Sequence, residues 1–401
     1  MTVSTTPWWQ HVPSLQRFVG DLLAAELAQA RPGRALVPAP WPASLDLART
    51  LGADSLELMG MATALAEALQ LRGGDLPLLA APRLEQWVEA AGAGLLEDGS
   101  RIVFRTSGSA GSPKRCTHAL ALLRQEIAAL APLFPGRRRI LAAVPAHHIY
   151  GFLFTVLLPQ ALGIETVLDL RGAGPAALLA EARGGDLVVA HPGWWDAVAR
   201  LEPVFPADVA GVTSTAPCPD ALADGLARAG LRLVQVYGSS ETAGVGWRER
   251  GADPFALLPY WSRCADEARL ARAMADGALA YYPLQDRLEW DDERRFRPAG
   301  RIDQAVQVGG TNVFPAYVAE VLKMHPAVAD AAVRLMRPDE GMRLKAFVVA
   351  RGEASAALRA QLLDWCRERL STPELPAALN FGARLPRQAS GKPADWIIDA
   401  E

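Results

Sequence analysis

Between residues 101 and 300, short apolar runs alternate with stretches that have helical character. Each run is ended by Gly, Pro, Ser or Thr, and several are followed by Ala/Leu-rich stretches such as DALADGLARAG. The runs are IVFRTS, RILAAVP, DLVVAHP, VAGVTST and LRLVQVYG. This alternation is typical of a largely parallel sheet covered by helices. Ligands of such sheets bind beyond the carboxyl ends of the strands, so a site is expected in the segments that follow the runs.

Two further regions flank this core. In residues 1–98, one apolar helical face is formed by Leu15, Phe18, Val19, Leu22 and Leu23. Asp54, with Glu57 three residues later, predicts a capping box at the start of a second helix. The tail reads as a helix, two strands and a helix. We therefore predict an α/β fold in three parts: a helical segment (1–98), a core domain with a mostly parallel sheet (99–302) and a small mobile α+β lid (303–401).

Composition excludes several classes of protein. The formal net charge of −3 gives no electrostatic reason to expect a nucleic-acid partner. No run of about 18 apolar residues predicts a membrane span, and the first residues lack the pattern of an export signal. The 4 cysteines never show C-x-x-C spacing, which favours a reducing compartment over a disulfide framework. These features predict a cytoplasmic enzyme without a metal site made of protein ligands alone.

The most specific local motif directly follows the run IVF. Its small hydroxyl residues and glycines allow backbone N–H groups to close around a phosphate, and its lysine adds a positive charge. It is not a Walker loop, because Pro113 precedes Lys114 and Arg115 follows it. Taken alone, the segment also fits a Ser/Gly-rich surface turn. Its residues are Thr106, Ser107, Gly108, Ser109, Ala110, Gly111, Ser112, Pro113 and Lys114.

Four more motifs follow in order along the chain. They are V-Y-G-S-S-E (236–241), Asp286 placed 14 residues before G-R-I-D (300–303), G-G-T-N-V-F-P (309–315), and L-P with G-K (385–392). Together with the loop, they resemble the signatures of the acyl-adenylating superfamily, which includes acyl- and aryl-CoA synthetases, luciferases and the adenylation domains of peptide synthetases. The loop differs from T-S-G-S-T-G-x-P-K only at Ala110, and Ser240 replaces a Thr.

The resemblance implies a nucleotide site. Glu241 would coordinate a Mg²⁺ ion that bridges the phosphates, since hard oxygen ligands suit this ion, and Ser240 would bind the α-phosphate as a second catalytic residue. Tyr237 would stack on adenine and Asp286 would accept the ribose hydroxyls. Each of these residues alone also fits an ordinary turn, surface carboxylate or ion pair. Besides the loop, the implied ATP- or AMP-binding residues are Ser214, Thr215, Ala216, Tyr237, Gly238, Asp286 and Arg301.

Lys392 follows a glycine in the tail. The first half-reaction brings a carboxylate to a triphosphate, and two like charges ~4 Å apart repel by ~4 kcal/mol at an effective dielectric of ~20. A cation between the carboxylate and the α-phosphoryl oxygens cancels this repulsion in the transition state. The resemblance implies this catalytic role for Lys392, a hinge at Asp303 and a thiol tunnel along Gly309 and Gly310. Taken alone, Lys392 is an ordinary solvated lysine.

An acyl pocket is suggested by P-A-H-H-I-Y-G (145–151), which resembles the P-x-x-H-I-Y segment of aryl-CoA ligases. His148 takes the place of the family histidine that gates the carboxylate site, which implies that it is a catalytic residue. Tyr150 stands where a pocket residue meets a ring hydroxyl. A satisfied core histidine and a tryptophan pair in the core are the alternatives. The implied pocket residues are His147, Tyr150, Gly151, His191 and Trp194, and an aromatic pocket favours an aryl acid.

The chain has fewer residues before the phosphate loop than ordinary family members. L-G-A-D-S-L (51–56) resembles the phosphopantetheine site of acyl carrier proteins, although Asp54 also fits an ordinary helix cap. A compact adenylating enzyme with such a front end resembles the aryl acid:acyl-carrier-protein ligases of aryl-polyene (xanthomonadin-type) pigment pathways. Because such a ligase loads a separate carrier, we expect no phosphopantetheine on Ser55.

The expected function is an ATP- and Mg²⁺-dependent ligase. It would adenylate a carboxylic acid, an aryl acid such as a hydroxybenzoate, and pass the acyl group to the phosphopantetheine thiol of an acyl carrier protein. Coenzyme A is the alternative acceptor. A nucleotide-binding pseudoenzyme or scaffold is the alternative of another class, and the joint presence of Lys114, Glu241, Asp286, Asp303 and Lys392 counts against it.

Overall fold

The computed structural model describes residues 6–31, 34, 36–72, 76–79, 81–106, 114–302, 305–309, 311–386 and 396. These residues divide into two compact units: the first comprises the described residues up to Thr106 and those of 115–300, and the second comprises Lys114 and the described residues from Arg301 onward. Within the described residues, no helix is both long enough and apolar enough to cross a membrane.

The secondary structure follows the alternation expected from the sequence. The helices are α1 (Val12–Ala30), α2 (Ser55–Leu69), α3 (Leu76–Leu79), α4 (Leu84–Glu97), α5 (Leu120–Leu130), α6 (Ile149–Phe152), α7 (Leu158–Leu162), α8 (Pro175–Glu181), α9 (Pro192–Ala199), α10 (Asp220–Arg228), α11 (Pro315–Lys323) and α12 (Ala356–Arg367). The strands are β1 (Arg101–Thr106), β2 (Lys114–Ala119), β3 (Arg139–Ala142), β4 (Thr166–Asp169), β5 (Asp186–Val189), β6 (Ala210–Thr213), β7 (Arg232–Ser239), β8 (Ala243–Arg248), β9 (Phe255–Leu257), β10 (Trp261–Arg263), β11 (Arg269–Ala273), β12 (Leu279–Pro283), β13 (Asp286–Trp290), β14 (Arg295–Arg301), β15 (Val306–Val308), β16 (Thr311–Val313), β17 (Val328–Leu335), β18 (Leu344–Ala350) and β19 (Ala378–Phe381).

The main sheet of the first unit has nine strands in the order β13-β14-β9-β8-β7-β6-β5-β3-β4. Strands β4, β3, β5, β6 and β7 pair in parallel, whereas β8 pairs antiparallel with β7 and β9 pairs antiparallel with β8. Every residue of β5 and β6 is buried, as expected for parallel strands covered on both faces. The predicted α/β fold with a parallel sheet is therefore confirmed.

Strand β1 departs from the expected arrangement. The sequence predicts it as a member of the large sheet, but it pairs with β2 in a separate two-stranded sheet. Only seven residues, 107–113, separate the two strands. A crossover to a parallel neighbour needs about a dozen residues or more, so this short connection favours pairing between β1 and β2.

The helices before β1 share the core of the first unit instead of forming a core of their own. One continuous cluster of buried side chains extends from Trp8 to Phe296. The ring of Phe18 on α1 lies 5.6 Å from Trp8 and 5.7 Å from Phe152 of α6. The predicted capping box of α2 is confirmed, since Asp54 accepts from the amide of Glu57 at 2.9 Å while Glu57 accepts from the amide of Asp54 at 2.9 Å.

The second unit is a small α+β structure. Strands β17, β18 and β19 form a sheet in which β17 and β18 are antiparallel and β18 and β19 parallel. Helices α11 and α12 contribute to its core, which contains Val318, Leu322 and Leu362. The helix, two strands and helix predicted for the tail are confirmed as α11, β17, β18 and α12.

The shared core predicts how the first unit unfolds. Phe18→Ala removes a fully buried ring and should lower the free energy of unfolding of the whole unit by about 3–5 kcal/mol. Leu96→Ala on α4 is the control, because 70% of this side chain is exposed. Denaturant titrations followed by tryptophan fluorescence should show one destabilised transition for Phe18→Ala. Loss of the helices in a separate early transition would mean that they fold as an independent domain.

Candidate active site

A crevice is expected where the strand order of the main sheet reverses direction. Strands β3 and β5 are parallel neighbours, yet the chain after β3 continues to β4 on one side and the chain after β5 continues to β6 on the other. The two connections diverge from the carboxyl edge, which is where open α/β sheets bind ligands. The segment after β3 carries His147 and His148, and the segment after β5 carries His191.

The two adjacent histidines contact each other and are held in the neutral form. Their ring centroids lie 4.3 Å apart. By accessible surface, His147 is half-buried and His148 is exposed. Desolvation lowers the pKa of His148 to about 4, with a smaller effect in the same direction from Arg171. The pKa of His147 is also lowered, chiefly by burial, and among the described residues its Nδ1 finds no hydrogen-bond partner.

Tyr150 contacts the main chain instead of facing open space. Its hydroxyl donates to the carbonyl oxygens of Ala190 at 3.1 Å and Val212 at 2.8 Å, and the side chain is only 5% exposed. These bonds tie α6 to the ends of β5 and β6, and the pocket role of Tyr150 stays a prediction. A Cβ atom at Gly151 would collide with the carbonyl oxygen of Pro145, so a glycine is needed there.

His191 caps α9 at the other side of the crevice. Its Nδ1 accepts from the amide of Trp194 at 3.2 Å, so the ring proton of a neutral His191 is on Nε2. Burial lowers the pKa of His191. Trp194 is buried and packs edge-on against Trp195, with ring centroids 5.7 Å apart. This pair is part of the core, which was the alternative to a pocket role.

The turn after β6 contains an unusual backbone conformation. Thr215 has φ of 79°, between the half-buried residues Ser214 and Ala216. A β-branched residue with positive φ is strained, and such strain, of order 1–3 kcal/mol, clusters at functional sites. The turn lies at the same carboxyl edge as the histidines.

The hairpin of β7 and β8 brings two distant motifs together. The hydroxyl of Tyr237 donates to Oδ2 of Asp286 at 2.7 Å, although 49 residues separate them in sequence. The Tyr237 ring packs edge-on against Phe296, with centroids 5.2 Å apart. Gly238 allows close approach of the two strands, since a Cβ there would collide with the carbonyl oxygen of Ala243. Glu241 lies in the short turn between the strands and is half-buried.

Three buried polar side chains support the turn that carries Glu241. Nε2 of His118 donates to the carbonyl oxygen of Ser240 at 2.7 Å, and Nη1 of Arg272 donates to that of Thr242 at 3.5 Å. Oε1 of Glu126 accepts from the amide of Gly244 at 2.9 Å. The three bonded residues alternate along the chain: Ser240 and Thr242 lie in the turn, and Gly244 lies at the start of β8.

Glu126 is completely buried beside Arg272. Burial raises the pKa of Glu126 to about 7, and the charge of Arg272 and the bond from Gly244 only partly oppose this effect. The Arg272 guanidinium also donates to the carbonyl oxygen of Leu122 at 2.6 Å and lies 4.4 Å from the centre of the Tyr260 ring. The turn therefore rests on a buried charged network.

Several predicted residues are described only in part or not at all. Lys114 begins β2 and is exposed, and Thr106 ends β1. In the second unit, Arg301 is half-buried and Gly309 adopts φ of 58° in the turn between β15 and β16. The predictions for Ser107, Gly108, Ser109, Gly111, Asp303, Gly310 and Lys392 lie outside the described residues.

The carboxylate of Glu241 suits Mg²⁺ only if the other ligands of the ion come from outside the protein. Among the described residues, no group of three or more His, Cys, Asp or Glu side chains could hold a metal ion. Mg²⁺ retains several water ligands and is commonly bound by one or two carboxylates together with substrate phosphates. A single glutamate at the carboxyl edge of the sheet fits such an ion, whose other ligands would come from a nucleotide and water.

Sequence reasoning missed the buried polar residues behind the site. His118, Glu126 and Arg272 belong to no motif, and neither do Asp21 and Arg171. The sequence nevertheless contains a signal for one of them, Glu126. Glu126 follows Leu123 by three residues and precedes Leu130 by four, so it lies on the apolar face of its helix. A charged residue on such a face indicates a buried polar contact.

Comparison with known proteins gives two family matches. Residues 96–260 match the family described as AMP-binding enzyme, and residues 317–392 match the AMP-binding enzyme C-terminal domain. The chain is 39% identical over 384 residues to a 4-coumarate–CoA ligase of Halorhodospira halophila, which covers 94% of this chain and 97% of that protein. It is 43% identical over 302 residues to a 4-coumarate–CoA ligase of Rhodobacter capsulatus, covering 74% of this chain and 76% of that protein.

Solved structures with the same fold include an amide bond synthetase from Marinactinospora thermotolerans. Its TM-score is 0.62 at 19% identity, covering 94% of this chain and 92% of that chain. A variant of o-succinylbenzoate CoA synthetase from Bacillus subtilis has a TM-score of 0.60 at 21% identity, covering 73% and 67%. At these identities the likeness supports the fold alone.

The environment of Glu126 predicts a dependence of stability on pH. Its pKa is raised from 4.5 to about 7 in the folded protein, so the folded state binds this proton more tightly than the unfolded state. The free energy of unfolding should then fall as pH rises from about 4.5 to about 7, by at most ~1.4 kcal/mol per pH unit. Glu126→Gln lacks this proton equilibrium and should gain stability relative to the natural protein over that range. The exposed Glu97→Gln is the control, and parallel pH profiles for Glu126→Gln and the natural protein would contradict the assignment.

Proposed function

The chain belongs to the AMP-binding enzyme family, and from this premise we propose that it is an AMP-forming ligase that activates an aryl acid and transfers the acyl group to coenzyme A. Activation would consume ATP in the presence of Mg²⁺ and release pyrophosphate. The acyl-adenylate would then react with the thiol and release AMP.

The observation that carries this proposal is the bond between Tyr237 and Asp286. The family resemblance assigns adenine to the first residue and ribose to the second, and the two must be neighbours for one nucleotide to reach both. Their side chains are bonded at 2.7 Å. Glu241 follows Tyr237 by four residues in the same hairpin, so the phosphates and the adenine would be bound from one hairpin, with the ribose at the adjoining Asp286.

Neutral histidines suit the binding of the acid substrate. With its pKa lowered to about 4, His148 is neutral at pH 7 and can bond to a carboxylate without neutralising it. A carboxylate that keeps its charge remains a nucleophile for the α-phosphorus. The repulsion between this carboxylate and the triphosphate would be offset by Mg²⁺ held at Glu241 and by Lys392.

We propose coenzyme A as the acceptor because of the names of the relatives. The sequence motifs alone favoured a carrier protein, through the resemblance to aryl acid:acyl-carrier-protein ligases. Relatives that match nearly the full length of the chain are called 4-coumarate–CoA ligases. The acid is proposed to be aromatic for the same reason, with 4-coumarate as the first compound to test.

A two-part assay tests the proposal. Pyrophosphate release is measured with ATP, Mg²⁺ and each of a panel of cinnamates, benzoates and fatty acids. The best acid is then supplied with coenzyme A, with a holo-acyl carrier protein, or with no thiol. Aryl-dependent pyrophosphate release followed by acyl-CoA formation is expected. Release without thioester, thioester on the carrier alone, or no release with any acid would each contradict the proposal.

Glu241→Gln should abolish Mg²⁺-dependent adenylate formation while ATP still binds. The amide keeps the shape of the side chain but lacks the charge that holds the ion. Adenylate formation is measured by pyrophosphate exchange, and ATP binding by calorimetry. Glu249→Gln, just beyond the end of β8, is the matched control. Natural turnover by Glu241→Gln at ordinary Mg²⁺ concentrations would refute the assignment.

Lys392→Ala should separate the two half-reactions. Loss of one preorganised charge should slow adenylation by a factor on the order of 10²–10³. Thioester formation from pre-made acyl-adenylate and thiol should remain, because the carboxylate charge is no longer present in that step. Equal slowing of both steps would show that Lys392 does not act specifically in the first.

A further inference from the structure

Helix α1 places a buried carboxylate against the turn that carries the two histidines. Oδ2 of Asp21 accepts from the amide of Ala146 at 2.6 Å, and Ala146 directly precedes His147. Asp21 is only 2% exposed. A buried carboxylate is costly unless it is bonded and paired, so its presence on the apolar face of α1 calls for a specific contact.

The charge of Asp21 is compensated by Arg171, which follows β4. Nη2 of Arg171 donates to Oδ1 of Asp21 at 2.6 Å, and its Nε bonds Asp169 at 2.9 Å. Burial, the largest effect, raises the pKa of Asp21, while Arg171 and the Ala146 amide act against it. Four residues before Asp21, Arg17 donates to the carbonyl oxygen of Thr155. Two cationic side chains, Arg17 and Arg171, thus meet two carboxylates, Asp21 and Asp169, behind the turn.

The rest of the turn is held by contacts that do not involve charges. Tyr150 is bonded to the strand ends, and the α6 backbone at Gly151 packs closely against Pro145. The amide of Ala146 lies between these contacts and donates to Asp21 on α1, which is 125 residues earlier in the sequence. The position of the His147–His148 pair therefore depends on α1.

We propose that Asp21 is a positioning residue for the acid substrate: through the Ala146 amide it sets the placement of the His147–His148 turn. This inference rests on the proposed function, which assigns His148 to the carboxylate of the acid. It gives the short N-terminal segment a part in acid binding, in addition to its part in the core.

Asp21→Asn is the primary test. The asparagine side chain cannot keep both bonds, because it has only one acceptor oxygen. Its NH2 group would face a second donor, which is either the Arg171 guanidinium or the backbone N–H of Ala146. The KM for the acid should rise by about tenfold to a hundredfold, as expected from a displaced binding group. The KM for ATP should stay within about twofold, since the Tyr237–Asp286 site does not share these contacts. In a His148→Ala background, Asp21→Asn should add little further loss.

Asp186→Asn is the matched control. Asp186 is 1% exposed and pairs with Arg139 at 2.7 Å, but it lies at the amino ends of the parallel strands, the edge opposite the crevice. The Asp186→Asn variant should have a lower thermal stability than the natural protein and an unchanged KM for the acid. If Asp21→Asn does not fold, Arg171→Lys replaces it, because a single ammonium group loses the paired bonds of the guanidinium while keeping the charge.

The outcomes separate this inference from the proposed function. A rise in the acid KM that is specific to Asp21→Asn or Arg171→Lys, and is lost in the His148→Ala background, supports the positioning role. Equal changes in the KM of acid and ATP, or the same behaviour as Asp186→Asn, would overturn it. If His148→Ala itself leaves the KM for the acid unchanged, the proposed acid site fails and this inference fails with it.

Discussion

Parallel pairing of β3, β5, β6 and β7 brings four carboxyl ends to one edge of the main sheet, and each is followed by a segment that bears on the proposed chemistry. The histidine pair follows β3, His191 follows β5, the strained turn at Thr215 follows β6, and the turn of Glu241 follows β7. The reversal of strand order at β3 and β5 separates two of these segments, and open α/β sheets bind their ligands at such a point. The acid and the nucleotide can therefore be bound at the same edge without any single segment serving both.

The segments at this edge are supported from behind by buried polar side chains. Asp21 bonds the histidine turn, and His118, Arg272 and Glu126 bond the Glu241 turn. In a low-dielectric interior, a hydrogen bond to an ionised group is stronger and shorter than one in water, and losing a partner is correspondingly costly. Such contacts restrict the backbone of a turn more than apolar packing does, because they fix the direction of an individual amide or carbonyl group.

The N-terminal segment illustrates how local resemblance and tertiary context differ. Its motif at residues 51–56 resembles a carrier-protein site, and Asp54 and Glu57 within and beside it form the capping box that the helix-start pattern predicts. Its buried side chains, however, belong to the core of the adenylating unit, and Asp21 reaches the histidine turn. The segment is therefore an integral part of the first unit.

Sequence alone determined the α/β class, the elements of the tail, the cap of α2 and the family, because each rests on residue spacing or on ordered local motifs. It also placed Tyr237, Asp286 and Glu241 in one proposed nucleotide site, but without the bond that joins the first two. Only the tertiary structure decided that β1 pairs outside the main sheet, that the Tyr150 hydroxyl is taken by main-chain carbonyls, and that Asp21, Glu126 and Arg272 lie behind the site. These facts depend on contacts between residues far apart in the chain, and spacing along a sequence carries no information about which buried charge meets which distant amide.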